Sequence, residues 1–321
     1  MSNSLHAQSS SEYTTHLHRV QTHDPSEHAQ HLSGWRLAYD QLSPGPFVGE
    51  LIEFRLGEVQ LVRDRSNQAM KKSGAAVEGS IAFCVNLKYQ GDVYCSGHLI
   101  SAPSLLVAQG DNMPELKVPE IVDILLVSIH QDTLRHTLER QGSSFQLIDH
   151  PMCYHIGDAS AWYELKNVID ELVNGRFGGE ALQHASIRED LRAAVTLHLL
   201  DIMTRDEPLS LKPTARKRMV DRACEYAMNH LDEPVTILDL CNSIGASRRK
   251  LQYCFQEAFG INPVAYLRAL RLNSVRRELR EKTSASSIQD VAARWGFWHM
   301  GRFSVEYRAL FGESPTHTLR R

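Results

Sequence analysis

The sequence predicts an α+β chain. An N-terminal β-rich region of barrel or jelly-roll type, with flanking helices, precedes an all-α region of two helix-turn-helix units joined by a long helix. Three observations predict this. Short β-prone runs separated by turn residues dominate the chain up to Ile129, helical spacing takes over from about Gln131, and the C-terminal part contains an internal repeat.

Residues 1–30 are polar and rich in Ser and His, with no periodicity, and are expected to be a disordered tail. Six histidines lie at its length or just beyond: His6, His16, His18, His23, His28 and His31. Residues 31–205 read as a sensing and dimerisation domain. Leu51 to Leu56 and Val59 to Val62 flank Gly57-Glu58, a hairpin signal; Ser80 to Leu87 and Val93 to Cys95 flank Gln90-Gly91-Asp92. Leu105 to Ala108 and Ile121 to Ile129 complete the strands, a spacing that suits a small barrel or jelly roll. Trp162, Leu165, Val168, Ile169 and Leu172 then recur at helical spacing, as do Ile187, Leu191, Ala194, Val195, His198 and Leu199. Such helices either cover the barrel or pair with a second subunit. Residues 206–218, marked by Pro208 and Pro213, read as a linker, and 219–321 as an all-helical domain.

The repeat carries the functional reading. Ile237, Asp239 and Gly245 match Ile288, Asp290 and Gly296 at an offset of 51 residues. Leu251, Phe255, Phe259, Gly260 and Pro263 match Phe303, Tyr307, Phe311, Gly312 and Pro315 at an offset of 52, so one residue has been inserted in the intervening turn. Each copy reads as helix, tight turn, second helix, the layout whose second helix enters a DNA major groove. Ser247 is placed to cap that helix in the first copy. The face opposite Leu251 and Phe255 holds Arg249, Gln252, Tyr253 and Gln256, with Arg248 beside it. Arg matches guanine and Gln matches adenine bidentately, although the same face read alone is equally a solvated one. In the second copy the face opposite Phe303 and Tyr307 holds Gly301, Ser304, Val305 and Arg308, with His299 and Met300 at the helix start and Arg302 to one side, a set poorer in bidentate readers. The first unit is therefore expected to discriminate bases, and the second to lean on phosphates, a thymine methyl at Val305 and DNA shape. Val264 to Glu281 forms one connecting helix of about 27 Å, compatible with two grooves one turn apart.

Charge agrees with this division. The chain has 321 residues and a net charge of −3, but from Pro213 onward 18 Lys and Arg face 11 Asp and Glu. A basic block on an acidic chain suits a polyanion partner. No nucleophile elbow, P-loop or H-E-x-x-H motif is present, and His98 stands alone among the strands, so an enzyme is not expected. The six cysteines form no C-x-x-C pair and read as free thiols. No apolar run is long enough for a membrane span and no signal-peptide core is seen, so a cytoplasmic location is expected.

Residues 219–321 resemble the AraC/XylS family of bacterial transcription regulators. The likeness rests on Asp239-Leu240-Cys241, Gly245-Ala246-Ser247, Leu251-Gln252 with Phe255, Phe259 to Pro263, Tyr266-Leu267, Arg271-Leu272, Ile288 to Ala292, Gly296-Phe297, Phe303, and Phe311-Gly312 with Pro315. The resemblance implies binding to double-stranded DNA, activation through RNA polymerase, a small-molecule effector and a homodimer. Trp35, Tyr39 to Leu42, Pro44-Gly45, Phe47, Gly49-Glu50, Glu233 to Thr236, Leu238 to Asn242 and Trp295 to His299 are similar to the ethanolamine-utilisation activators of that family. This second likeness implies ethanolamine with adenosylcobalamin as effectors, while the tail from Gly301 is equally similar to members that sense aromatic acids. No permanently bound cofactor or metal is expected. The alternative is an architectural DNA-binding protein that answers to no effector.

Overall fold

The structure, a computed structural model, describes residues 17–320 except 102, 141, 143–148, 158, 174–183, 206, 232–234 and 282–286. His6 and His16, with the rest of segment 1–16, lie outside the described residues, as do Glu233 and Pro234.

Thirteen strands among the described residues form two antiparallel sheets. The strands are β1 (His18–Thr22), β2 (Arg36–Gln41), β3 (Gly49–Leu56), β4 (Val59–Ser66), β5 (Met70–Ala75), β6 (Ser80–Gln90), β7 (Val93–Cys95), β8 (His98–Ile100), β9 (Ser104–Gln109), β10 (Leu116–Val118), β11 (Ile121–His130), β12 (Met152–His155) and β13 (Leu209–Ser210). The large sheet has the order β1-β3-β4-β11-β6-β9-β12-β13, and the small one β2-β5-β10-β7-β8. The large sheet has two apolar faces, so its strands alternate between two cores. In β11, Ile124 and Leu126 point into a core shared with Tyr39, Met70, Val93 and Leu116 of the small sheet. Leu125, Val127 and Ile129 point the other way, into a core closed by helices. Those helices are α2 (Gln131–Arg140), α3 (Ala159–Val173) and α4 (Ala185–Arg205). Leu134, Ile169, Leu191, Val195 and Leu199 supply their buried contacts.

Of the expected barrel or jelly roll, a closed barrel does not form. Among the described residues no ladder joins the two sheets. One open edge is instead covered by a helix of the C-terminal region: Asn273 Nδ2 donates to the Gln41 carbonyl at 2.8 Å, and Asn273 Oδ1 accepts from the Gln41 N–H at 2.9 Å. A side-chain amide thus replaces a neighbouring strand at the end of β2.

Two boundaries also differ from expectation. The tail reading fails from residue 18 onward, where β1 pairs with β3 and α1 (Pro25–Gln30) follows, capped by the Asp24 carboxylate. The polar composition misled because His28 is fully buried with both ring nitrogens partnered, by Thr22 at 2.6 Å and Asp64 at 3.1 Å. The linker reading fails for the described residues of 206–218: β13 pairs with β12, Leu211 is fully buried, and α5 (Ala215–Asn229) starts behind a Thr214 cap.

The rest is helical: α6 (Ile237–Ile244), α7 (Arg248–Phe259), α8 (Pro263–Glu281), α9 (Ile288–Arg294), α10 (Met300–Phe311) and α11 (Pro315–Arg320). One core joins Leu240, Leu251 and Phe255 to Phe303, Tyr307 and Phe311 through α8. Helix α8 is buried almost all round because the sensor side of the molecule also packs on it. There Arg276, 4% exposed, reaches Asp24 at 2.6 Å and Glu313 at 2.7 Å, its guanidinium 4.6 Å from the Phe311 ring centre. Asp24→Ala leaves that buried cation half-matched and is expected to lower the unfolding free energy by about 3–5 kcal/mol. Chemical denaturation checks this; a change within about 0.5 kcal/mol, as at an ordinary surface site, would contradict it.

Candidate nucleic-acid interface

The two repeats fold alike because their caps repeat. Thr236 starts α6, its hydroxyl accepting from the Asp239 N–H at 3.2 Å while the Asp239 carboxylate accepts from the Thr236 N–H at 2.8 Å. Ser287 and Asp290 do the same for α9 at 3.2 and 3.0 Å. This reciprocal box is the physical content of the matching aspartates. The hydroxyl and backbone bonds from Thr236 and Ser287 hold both carboxyls below their ordinary range. The second helices, α7 and α10, both end on a left-handed glycine, Gly260 with φ 66° and Gly312 with φ 74°. The inserted residue falls in the turn between Arg294 and Met300, where Gly296 takes the left-handed conformation.

In the first unit, Ser247 caps α7 by accepting from the Lys250 N–H at 3.2 Å. Arg248, Arg249, Gln252 and Gln256 lie on the exposed side of the helix, away from buried Leu251, Cys254 and Phe255. All four are exposed. Tyr253 is placed differently. It is half-exposed, the Arg216 guanidinium lies 5.1 Å from its ring centre, and a hydrogen bond to Glu257 followed by that carboxylate's charge raises its hydroxyl pKa. Arg216 also pairs with Glu257. Arg216 thus belongs to this surface although it lies outside the repeat, where no spacing argument reaches it.

The second unit is more tethered. His299 is exposed and starts α10 without a side-chain cap. Met300 is half-buried and packs against the helical core. Arg302 donates to Glu306 at 2.9 Å, and Arg268 of α8 pairs with the same carboxylate. Ser304, Val305 and Arg308 are exposed, Val305 at 69%. They border a groove with Gln289 and Thr316, polar residues at the starts of α9 and α11 that the repeat pattern did not single out. Exposed Val305 is an unusual use of a β-branched apolar side chain in mid-helix, and it suits contact with a base methyl.

Among the described residues no cluster of His, Cys, Asp and Glu could hold a metal ion, and no helix is long and apolar enough to cross a membrane.

A family model described as a helix-turn-helix domain matches residues 240–321. The "Probable thc operon regulatory protein" of Rhodococcus erythropolis is 36% identical over 103 residues, which cover 32% of this chain and 31% of that protein. The "XylDLEGF operon transcriptional activator 3" of Pseudomonas putida is 31% identical over 102 residues, again 32% of this chain and 31% of the relative. A solved structure of a probable AraC family transcriptional regulator from Rhodopseudomonas palustris CGA009 shares 31% identity, with a TM-score of 0.30. It covers 32% of this chain and 96% of its own. The chain thus spans about a third of the length of these two curated relatives. The C-terminal region of this chain is thus similar to a helix-turn-helix domain and to part of two operon regulators.

Proposed function

We propose that this chain is a sequence-specific, double-stranded-DNA-binding transcription regulator, an effector-responsive activator of a catabolic operon that acts in the cytoplasm through RNA polymerase. The observation that carries this reading is the pair of reciprocally capped helix-turn-helix units on one connecting helix, each with its second helix exposed. Arg248, Arg249, Gln252 and Gln256 are the base readers, free at the surface of α7. Ser247 sets the start of that helix. His299, Ser304, Val305 and Arg308 form the second contact surface, with Met300 and Arg302 holding its geometry from the core and from Glu306. Tyr253 supports the first surface through Arg216. The two named relatives regulate operons, which supports the operon-level role.

The effectors implied by likeness to ethanolamine activators fit the cavity between the two sheets poorly. That cavity has a volume of about 50 Å³ and a mostly apolar lining that includes Lys72. Adenosylcobalamin far exceeds that volume, and the apolar lining suits an ammonium poorly. An aromatic ring suits the lining better.

Two measurements test the proposal. Genome-wide binding by the purified protein at physiological salt, with and without candidate effectors, is expected to enrich a short motif beside one operon. Weak, sequence-blind binding abolished by modest salt would reduce the protein to phosphate attraction. Arg249→Ala is expected to cost about 1–3 kcal/mol of DNA-binding free energy and to relax specificity at one base, whereas Val305→Ala costs less. Equal, sequence-independent losses in quantitative binding to single-base operator variants would refute the unequal pair.

A further inference from the structure

The two helix-turn-helix units do not close fully on each other. Between them lies a cleft with a volume of about 310 Å³, to which one stripe of α8 contributes Val264, Leu267, Arg268 and Arg271. The first unit contributes Thr236, Ile237 and Leu240 around the start of α6. The second contributes Gly296 and Phe297, in the turn before α10. Neither unit builds the cleft alone. It is separate from the cavity between the sheets, and it has room as it stands, since a cavity of about 150 Å³ holds benzene.

The lining divides into an apolar part and a cationic part. Leu240, Leu267 and Phe297 are buried, with Ile237 partly buried beside them. Against them stand two guanidiniums, and among the described residues the lining holds no carboxylate. Arg268 has a match elsewhere: it pairs with Glu306, and its guanidinium lies 5.7 Å from the Phe297 ring centre. That carboxylate also serves Arg302. Arg271 is placed differently. It is partly buried, and its Nη2 donates to the Ala227 carbonyl at 2.8 Å, an acceptor without a charge. Its Nε is shut off from solvent and has no hydrogen-bond partner among the described residues. Burial, and then the like charge of Arg268, lower its pKa. At Gly296 an added Cβ would stand 3.2 Å from Arg271 Nη1, so the lack of a side chain there keeps that nitrogen accessible. A cation drawn out of water beside another cation is costly, and an anion entering from outside relieves that cost.

The lining also selects the anion. A carboxylate bears one charge and two acceptor oxygens, which suits one guanidinium with a second beside it. Inorganic phosphate carries more charge than this pair offsets and leaves Ile237, Leu240 and Phe297 facing water. An apolar body on the carboxylate covers those side chains and gains by leaving water itself. An amine is repelled by both guanidiniums.

We infer that the cleft between the two units is a binding site for a small carboxylate with an apolar body, its charge held by Arg271 and Arg268. This goes beyond the reading of the chain as a DNA-binding regulator by placing a ligand site within the reader itself. The probe is cyclohexanecarboxylate, titrated by calorimetry into the full chain without DNA, with its neutral amide and cyclohexylamine as controls of similar size. Saturable binding of the carboxylate is expected, at least about tenfold tighter than either control. Arg271→Gln is expected to remove that preference. Because Arg271 also holds the Ala227 carbonyl, a second variant leaves it in place. Val264 is 54% exposed at the rim, and Val264→Glu sets a tethered carboxylate one turn from Arg268. This variant is expected to weaken binding at least about tenfold with an unchanged melting temperature. No saturable binding to the unmodified chain, or equal binding of the amide, would overturn the site, as would undiminished binding to Val264→Glu. Absent binding, together with a salt slope for DNA lowered by about one in Arg271→Gln, would overturn it in favour of a DNA phosphate. Because the titrations contain no DNA, failure of the carboxylate to bind leaves the DNA-binding reading standing.

Discussion

Burial of the connecting helix α8 is the constraint on which the rest of the molecule depends. A helix of this length in isolation would present one apolar stripe and one solvated face. Here Leu267, Leu270, Val275 and Leu279 meet the helical core, while Asn273, Arg276 and Arg277 are taken up by the β-rich region. Arg276 is the centre of that arrangement, since its guanidinium joins Asp24 of the N-terminal region to Glu313 of the second repeat. A buried ion pair of this kind adds little net stability over apolar packing, but an unmatched member is costly. Its effect is therefore to penalise other dockings more than to strengthen this one.

The C-terminal architecture was legible because its signals are local. Thr236 and Asp239, Ser287 and Asp290, and the glycines at 245, 260, 296 and 312 each specify a cap or a turn from a few neighbouring residues. The central strands of the large sheet, β3, β4, β6, β9 and β11, were legible for a similar reason, since apolar residues on both faces make recognisable runs from Leu51 to Ile129. Of the small sheet only β7 was. Strand β5 reads Met-Lys-Lys-Ser-Gly-Ala and β2 reads Arg-Leu-Ala-Tyr-Asp-Gln, neither of which resembles a half-buried strand. Their charges have partners distant in sequence: Lys72 meets Asp64, and Asp40 meets Arg277. Burial of His28 escaped notice for the same reason, because its two partners had to be assembled by the fold.

The candidate site divides in the same way. Exposure of Arg248, Arg249, Gln252 and Gln256 follows from helical periodicity and agrees with the structure. Periodicity does not reveal that Arg216, the helical core and Glu306 engage Tyr253, Met300 and Arg302. The helices so presented are not independent modules on a string. Both are held at their C-terminal ends, one by Gln41 and Gly45, the other beside Tyr94 and Lys117. A rigid reader gains specificity from spacing as well as from base contacts, since DNA offers the two grooves at a fixed pitch.

That spacing is the most direct point of attack. The measurement is the affinity of the purified protein for its selected operator and for versions with about 5 or 10 base pairs inserted between the two contacted segments. The account predicts that half a turn, which puts the second groove on the opposite side of the duplex, reduces binding to that of a single segment. A full turn also fails to restore it, because α8 cannot lengthen. Undiminished affinity for both inserted operators would contradict the claim that one buried helix sets the distance between two readers.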